Sequence, residues 1–173
     1  DYMLKAKPFV KWAGGKRQII DKLTKLVPEN YNTYYEPFVG GGALLFELSP
    51  KNAVINDSNA ELMNVYKLIS TDQGYEEVVK LLNTKEKKHS EKFYYQIRNK
   101  DKDKKKFAKL SPVEHAARTI YLNKACFNGL YRVNSKGEFN VPFNKKLKIN
   151  TYDSQNMILA YVYFQANNVK ILN

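Results

Sequence analysis

Hydrophobic residues along the first 70 positions follow two different spacings, which together predict short strands alternating with helices. Helical spacing occurs in residues 16–27, 43–48 and 58–69, whereas short apolar runs typical of strands occupy 34–39 and 53–56. The order strand, glycine turn, helix, strand, helix is typical of a parallel α/β sheet. The pattern Ser58-Asn59-Ala60-Glu61 is a capping box and predicts that Ser58 caps the third helix.

The pattern changes after residue 71. Residues 100–109 are mostly Lys and Asp, which predicts a loop or a frayed helix end. Ser111 followed by Pro112 and, three positions after the serine, by Glu114 predicts a well-capped helix that runs to about residue 125.

The last third of the chain predicts a hairpin, a helix and a final strand. Residues 130–133 and 138–141 are short strand candidates with a plausible turn between them, so we expect a β-hairpin. Asp153 is positioned to cap a helix that runs through residue 165. Residues 169–172 are apolar and β-branched at their start, which predicts another buried strand.

Charge divides the chain into two unlike parts. The formal net charge is +12, and residues 72–148 carry 19 basic against 9 acidic side chains. Such an excess does not decide the fold but favours a polyanionic partner, of which duplex DNA is one. A solvated lysine-rich surface is the alternative that charge alone leaves open.

Several classes of protein are disfavoured by composition. Cys126 is the only cysteine, which excludes a disulfide within these residues and agrees with a reducing cytoplasm, where we expect the protein to reside. The sequence contains no run of about 18 apolar residues, so we expect no membrane span. The two histidines and the one cysteine show no metal-ligand spacing, so we expect no metal. The sequence carries no signal for the oligomeric state.

Three features of the α/β part are candidates for a nucleotide-type ligand. Gly40 follows a strand, where a missing Cβ lets a ligand approach the backbone, although a plain tight turn explains it as well. Asp57 ends the second strand, where an acid can accept hydrogen bonds from ribose hydroxyls or cap the next helix. Trp12 is the only tryptophan and can lie against an adenine or a sulfonium, or belong to the core at a domain edge.

Two phosphate-binding motifs are incomplete. Leu45 occupies the third glycine position of the dinucleotide fingerprint. The Gly14-Gly15-Lys16 run is followed by Arg17 where a nucleotide-hydrolysing P-loop needs Ser or Thr, so that function is a weak third alternative.

Taken together, four groups of motifs resemble the DNA adenine-N6 methyltransferases, in the class that places the cofactor motif before the target recognition segment. They are, in order, residues 8–16 (PFVKWAGGK), 36–42 (EPFVGGG), 54–57 (VIND), and 127–132 (FNGLYR) continuing to 137–142 (GEFNVP). The resemblance implies S-adenosylmethionine as cofactor, with contacts from Trp12, Lys16, Phe38, Gly40 and Asp57. It also implies duplex DNA as partner, with target sites of the GATC type.

The resemblance also implies the fold. We expect an incomplete α/β, Rossmann-like S-adenosylmethionine-dependent methyltransferase domain formed by residues 1–70 and 151–173. A mainly helical target recognition domain, residues 71–150, is inserted between them and carries the β-hairpin.

Several side chains of the basic segment are candidates for DNA contact. Arg132 suits bidentate pairing with guanine, and Asn128, Asn134 and Asn140 suit adenine. Turn chemistry can instead explain Asn128 and Asn134. Phe127 can wedge into the base stack or belong to the core. The resemblance supports contacts by Phe127, Asn128, Leu130 and Arg132, and by Lys11 from the cofactor side.

The catalytic tetrapeptide of the family, Asp or Asn, then Pro-Pro, then Tyr or Phe, is not found. No Pro-Pro pair occurs in the 173 residues, so we assign no catalytic residue and expect this motif beyond Asn173 in a longer enzyme. The chain alone is then expected to be inactive. The alternative is a non-catalytic, sequence-tolerant DNA-binding module.

Overall fold

The computed structural model describes residues 4–14 and 17–173, and this part of the chain contains eight α-helices and three strands. The helices are α1 (Ile20–Leu26), α2 (Ala43–Leu48), α3 (Ala60–Ile69), α4 (Asp72–Lys88), α5 (Glu91–Arg98), α6 (Lys104–Ala108), α7 (Pro112–Ala125) and α8 (Ser154–Ala166). The strands are β1 (Tyr34–Glu36), β2 (Asn52–Ile55) and β3 (Asn168–Ile171). Short 3₁₀ helices occupy Arg17–Ile19, Asn99–Lys102 and Phe127–Gly129.

The three strands form one parallel sheet in the order β1-β2-β3, as the alternating pattern predicts. Because the carboxyl ends of parallel strands lie at one edge, residues 37–42 and 56–59 meet there. Two backbone bonds join the loops, Val39 N–H to the Asn56 carbonyl at 2.9 Å and Asn56 N–H to the Glu36 carbonyl at 2.8 Å. The final strand differs from its prediction: it alternates exposed and half-buried residues because it pairs only with β2 in the described chain.

The core continues from the sheet into the last helix. The rings of Phe46, Tyr66 and Phe164 pack edge to face with centroids 6.1 Å apart for each pair that includes Phe164. The α8 helix therefore returns the chain to the first part of the molecule before β3 pairs with β2. The Asp153 cap is confirmed, since its carboxylate accepts the Asn156 N–H at 2.7 Å.

The α7 helix is buried over most of its length and packs against α3, α4 and α5. Its predicted cap is confirmed, because the Ser111 hydroxyl accepts the Glu114 N–H at 3.2 Å. The helix thus links the sheet-forming part, through α3, to the basic segment.

Two local predictions are wrong. Asn59, not Ser58, caps α3, because Asp57 accepts the Asn59 N–H and delays the helix by one residue. For residues 100–109 the loop alternative is wrong: a 3₁₀ turn follows α5 directly, as at a frayed helix end, and α6 then begins where the Asp103 carboxylate accepts the Lys106 N–H.

The predicted β-hairpin keeps its turn but lacks regular strands. A single bridge pairs Val133 with Phe139, and no ladder forms over 130–133 and 138–141. Two backbone bonds flank this bridge, Asn134 N–H to the Glu138 carbonyl at 2.8 Å and Asn140 N–H to the Arg132 carbonyl at 3.1 Å, so Val133 and Phe139 are a non-hydrogen-bonded pair. The Phe139 N–H points away from the opposite arm and donates to the Asp101 carboxylate at 2.7 Å.

Candidate functional site

The glycine run after β1 is shaped by close packing. Gly40 and Gly42 have φ of +53° and +83°, in the left-handed region that glycine adopts without strain. A Cβ on Gly42 would lie 2.9 Å from both the Phe46 ring and the Tyr66 hydroxyl. Tyr66, fully buried, donates its hydroxyl to the Gly40 carbonyl at 2.6 Å, and burial raises the pKa of this phenol. The conformation of the glycine loop is therefore fixed by the core residues Phe46 and Tyr66.

Asp57 faces this loop from the end of β2. One carboxylate oxygen accepts the Gly40 N–H at 3.1 Å, and the other accepts the Asn59 N–H at 3.0 Å. Asp57 is only 9% exposed. The helix-cap alternative does not describe it, since Asn59 is the cap. Each oxygen retains acceptor capacity beyond its one backbone bond.

Trp12 lies on the other side of the glycine loop. Its indole is half-buried, and its Cδ1 atom lies 3.6 Å from where a Cβ on Gly40 would be. A Cβ on Gly41 would come within 2.8 Å of the Val10 carbonyl, so the segment before Trp12 crosses the glycines at backbone distance. We call Trp12, residues 38–42 and Asp57 the glycine crevice.

Phe38 and Lys16 are the other two candidate cofactor residues. Phe38 is 72% exposed at the rim of the crevice, and its N–H donates to the Glu36 carboxylate at 3.4 Å. Lys16 lies outside the described residues. Glu36, which sequence reasoning did not single out, is buried and also accepts the Tyr34 hydroxyl at 2.6 Å.

Lys11 joins the crevice to the basic segment. Its backbone N–H donates to the Asn123 side-chain oxygen at 2.9 Å, and the Asn123 amide donates back to the Lys11 carbonyl at 2.7 Å. The same amide reaches the Gly129 carbonyl at 3.3 Å. A Cβ on Gly129 would lie 2.9 Å from the Lys11 side chain, which therefore passes directly over that turn.

Residues 127–140, called here the 127–140 loop, begin with a turn whose side chains face outward. Asn128 and Gly129 have successive φ of +56° and +62°, so turn chemistry does explain this pair. Phe127 and Leu130 are 54% and 40% exposed, which excludes a core role for Phe127. Among the described residues, the Asn128 side chain has no hydrogen-bond partner and remains available to a ligand.

The two arms of the 127–140 loop are held by polar contacts. Arg132 donates through Nε to the Asn140 side-chain oxygen at 2.9 Å, and Asn140 N–H donates to the Arg132 carbonyl at 3.1 Å. The exposed guanidinium keeps its terminal nitrogens largely uncommitted. Asn134 serves the turn: its side-chain oxygen accepts the N–H groups of Lys136 and Glu138, and its amide donates to the Glu138 carboxylate.

A buried ion pair that the sequence analysis missed anchors this loop. Arg118 donates to Asp101 at 2.9 Å, and both side chains are at least nine-tenths buried. Arg118 also donates to the carbonyls of Ile97 and Arg98, and the same Asp101 oxygen accepts the Phe139 N–H. The available signal was the polar trio Arg118, Thr119 and Asn123 within the mostly apolar stretch from Ala116 to Ala125 of this helix.

The described residues contain neither a metal-binding cluster nor a helix suited to a membrane. Within residues 4–14 and 17–173, no three His, Cys, Asp or Glu side chains converge as a metal site would require. None of the helices in that same part of the chain combines the length and the apolar character needed to cross a bilayer.

Comparison with known proteins adds a family. Residues 12–173 match the model of the D12 class N6 adenine-specific DNA methyltransferases. The chain is 42% identical over 167 residues to the type II methyltransferase M1.LlaDCHI of Lactococcus lactis subsp. cremoris, covering 96% of this chain and 58% of that protein. It is 43% identical over 187 residues to the type II methyltransferase M.MjaIII of Methanocaldococcus jannaschii, covering 98% and 62%.

A third relative carries a different kind of name. The chain is 37% identical over 141 residues to the DNA adenine methylase of Haemophilus influenzae, covering 81% of this chain and 48% of that protein. The chain thus spans about half to three fifths of the length of these relatives.

Proposed function

This chain belongs to the family of D12 class N6 adenine-specific DNA methyltransferases, and from that premise we propose that the protein methylates N6 of adenine in duplex DNA with S-adenosylmethionine as donor. The observation that carries the proposal is the meeting of Trp12, Gly40 and Asp57 at one edge of the parallel sheet. Ligands of open α/β sheets bind at the carboxyl ends of the strands, which is where these residues lie.

The residues of the glycine crevice suit the ribose of such a cofactor and its flat or cationic groups. Asp57 holds its carboxylate still through two backbone amides and has acceptor capacity left for ribose hydroxyls. The Trp12 face suits a flat adenine or a sulfonium cation. When bound, S-adenosylmethionine supplies a methyl group that is already activated on its sulfonium. We assign supporting contacts to Phe38 at the rim and to Lys16.

The 127–140 loop is the proposed reader of DNA. Phe127 and Leu130 expose apolar surface next to the unpartnered Asn128 amide, a combination suited to entering a base stack that a target adenine has left. Arg132 has donors for a guanine edge, with Asn140 bonded beside it. Lys11, lying over Gly129, is placed between this loop and the crevice. Asn134 contributes by holding the shape of the turn.

The proposed target site and the expected inactivity of the 173 residues both follow from the resemblance. We propose a GATC-type site. Methyl transfer requires the acceptor nitrogen to be held in line with the donor, and the family does this with a Pro-Pro tetrapeptide that does not occur in these 173 residues. We therefore expect the 173 residues alone to show no turnover, and measurable methylation by them would show that the catalytic group has been misplaced.

A direct assay tests the proposal. The whole protein encoded by the gene, rather than the 173 residues alone, is incubated with methyl-labelled S-adenosylmethionine and a GATC duplex, and a duplex whose adenines are already N6-methylated serves as the matched control. Label on adenine of the first duplex only is the expected result. Absence of label in the complete gene product would remove the proposed activity or require another target site.

Asp57→Ala separates cofactor binding from DNA binding. The variant loses the carboxylate that fixes the Gly40 loop, so we expect about tenfold or greater weakening for S-adenosylhomocysteine in calorimetry, by the loss of charge-assisted hydrogen bonds. Duplex binding is expected to persist. Equal binding of S-adenosylhomocysteine by both proteins would contradict the assignment.

The basic segment favours a second function, a DNA-binding module that tolerates any sequence. Residues 72–148 carry the large cationic excess, and phosphate contacts give affinity without sequence choice. This alternative predicts equal competition by GATC and scrambled duplexes, and binding that does not respond to S-adenosylmethionine. Preference for GATC that increases with cofactor would remove it.

A further inference from the structure

Tyr131 belongs to the 127–140 loop and contacts the glycine crevice. Its ring packs on the indole of Trp12 with centroids 4.9 Å apart and planes inclined by 30°. On the other side, Phe139 meets the same ring edge to face at 5.5 Å. One side chain of the DNA-reading loop is thus in contact with the residue proposed to meet the cofactor.

A second connection runs in parallel. The Asn123 amide bonds both the Lys11 carbonyl and the Gly129 carbonyl. The segment that carries Trp12 and the turn that precedes Tyr131 are thereby fixed to the same side chain of α7. A shift of the turn cannot leave the position of Trp12 unaffected unless these contacts break.

We propose that Tyr131 is a positioning residue that couples cofactor binding in the glycine crevice to DNA binding by the 127–140 loop. The inference rests on the proposed function. Cofactor contact fixes the Trp12 ring, which fixes Tyr131, and the loop then needs less ordering to bind DNA. By linkage, DNA must strengthen cofactor binding by the same factor, and couplings of about 5- to 150-fold are typical.

The test measures that factor in both directions. S-adenosylhomocysteine affinity is determined with and without a GATC duplex, and duplex affinity with and without S-adenosylhomocysteine. For the wild type we expect each ligand to tighten the other about tenfold. Tyr131→Leu is expected to bring both ratios close to one, and Tyr131→Phe, which keeps the ring, is expected to retain most of the coupling.

The chain offers a matched control. Tyr161 stacks on Tyr75 with centroids 4.7 Å apart and planes inclined by 30°, nearly the geometry of the Trp12–Tyr131 pair. Tyr161→Leu removes a comparable aromatic contact on α8 and should leave the coupling unchanged. If this control reduces the coupling as much as Tyr131→Leu does, loss of general stability explains the effect and the proposal is overturned.

Trp12 provides a readout that does not depend on a variant. It is the only tryptophan of the 173 residues, so their intrinsic emission reports the ring that Tyr131 touches. Duplex added without cofactor should change this emission in the wild type and in Tyr131→Phe. Unchanged emission on saturation with duplex would overturn the proposal even if Tyr131→Leu failed to fold.

The outcomes distinguish the two levels of inference. If the wild type binds neither S-adenosylhomocysteine nor duplex, the proposed function fails. If it binds both, and Tyr131→Leu preserves the full coupling, the function stands and the role of Tyr131 is refuted.

Discussion

The glycine crevice and the 127–140 loop are held in place by different kinds of interaction. In the crevice, backbone groups pair with buried side chains: Asp57 bonds the N–H of Gly40 and Tyr66 bonds its carbonyl. In the loop, the exposed Arg132 and the half-buried Asn140 bond each other, while buried side chains reach the backbone at Phe139, through Asp101, and at Gly129, through Asn123. A site built on backbone is rigid before its ligand arrives, whereas side-chain pairs can exchange partners with DNA.

The largest effect should come from the anchor of the loop. Arg118→Met leaves Asp101 buried without its cation, and breaking such a pair costs about 3–5 kcal/mol of unfolding free energy. Denaturant unfolding measures the loss. Removing both charges, as Arg118→Met with Asp101→Leu, should recover part of it, since two apolar residues leave no uncompensated charge. Equal stability of wild type and Arg118→Met would contradict the anchor.

The packing of the crevice can be tested by comparing Gly42, which belongs to it, with Gly137, which lies in the 127–140 loop and has nearly the same φ. Gly42→Ala adds crowding at Phe46 and Tyr66 to the strain of its positive φ, for a cost of about 2–4 kcal/mol. Gly137→Ala has nearly the same φ, +78° against +83°, but no neighbour within 4 Å, so about 1–2 kcal/mol is expected. Similar losses for both would show that the crevice packs loosely.

Arg132 tests whether the loop reads bases. Arg132→Ala should cost about 1–3 kcal/mol of DNA binding at one base pair and relax the choice of base there. The measurement is competition between GATC and singly substituted duplexes. An equal loss on every duplex would make Arg132 a phosphate contact.

The smallest effect concerns the helices that carry the loop. Burial, together with the nearby Lys100, lowers the pKa of Lys85 on α4 to about 8, so the folded protein releases this proton before the unfolded chain does. The charged lysine therefore costs stability below pH 8, and the cost fades as pH rises toward 10.5. Lys85→Met should raise the melting temperature at pH 7 and lose that advantage near pH 10. The exposed Lys87→Met is the control, expected to change little at either pH.

Local patterns predicted the parts of this molecule that depend on neighbours in sequence. The α2 helix and the caps at Ser111 and Asp153 follow from residues within one turn, and they were predicted correctly. The parallel pairing of the strands was also accessible, because alternating strands and helices favour it, whereas their order was not predicted.

Long-range contacts caused the failures. Asp101 lies 38 positions before Phe139, and no local signal shows that its carboxylate takes the N–H of that residue. The cap of α3 is the exception, because its cause is local: Asp57 accepts the Asn59 N–H two positions on, and Asn59 rather than Ser58 accepts the Leu62 N–H. For the site, the structure places Trp12, Gly40 and Asp57 together, and their contact with a cofactor stays a prediction. Asn123 and Tyr131 were missed because their partners are distant in sequence.

The amide of Asn123 also has a bearing on biosynthesis. It bonds Lys11 across 112 positions, so an emerging nascent polypeptide cannot seat its N-terminal segment until most of α7 has left the ribosome. The tryptophan-bearing segment must wait, undocked, while the helices between are being translated. Closure over the glycines therefore cannot be completed before α7 has been translated, and a chaperone or protease that meets the polypeptide earlier finds this edge of the sheet uncovered.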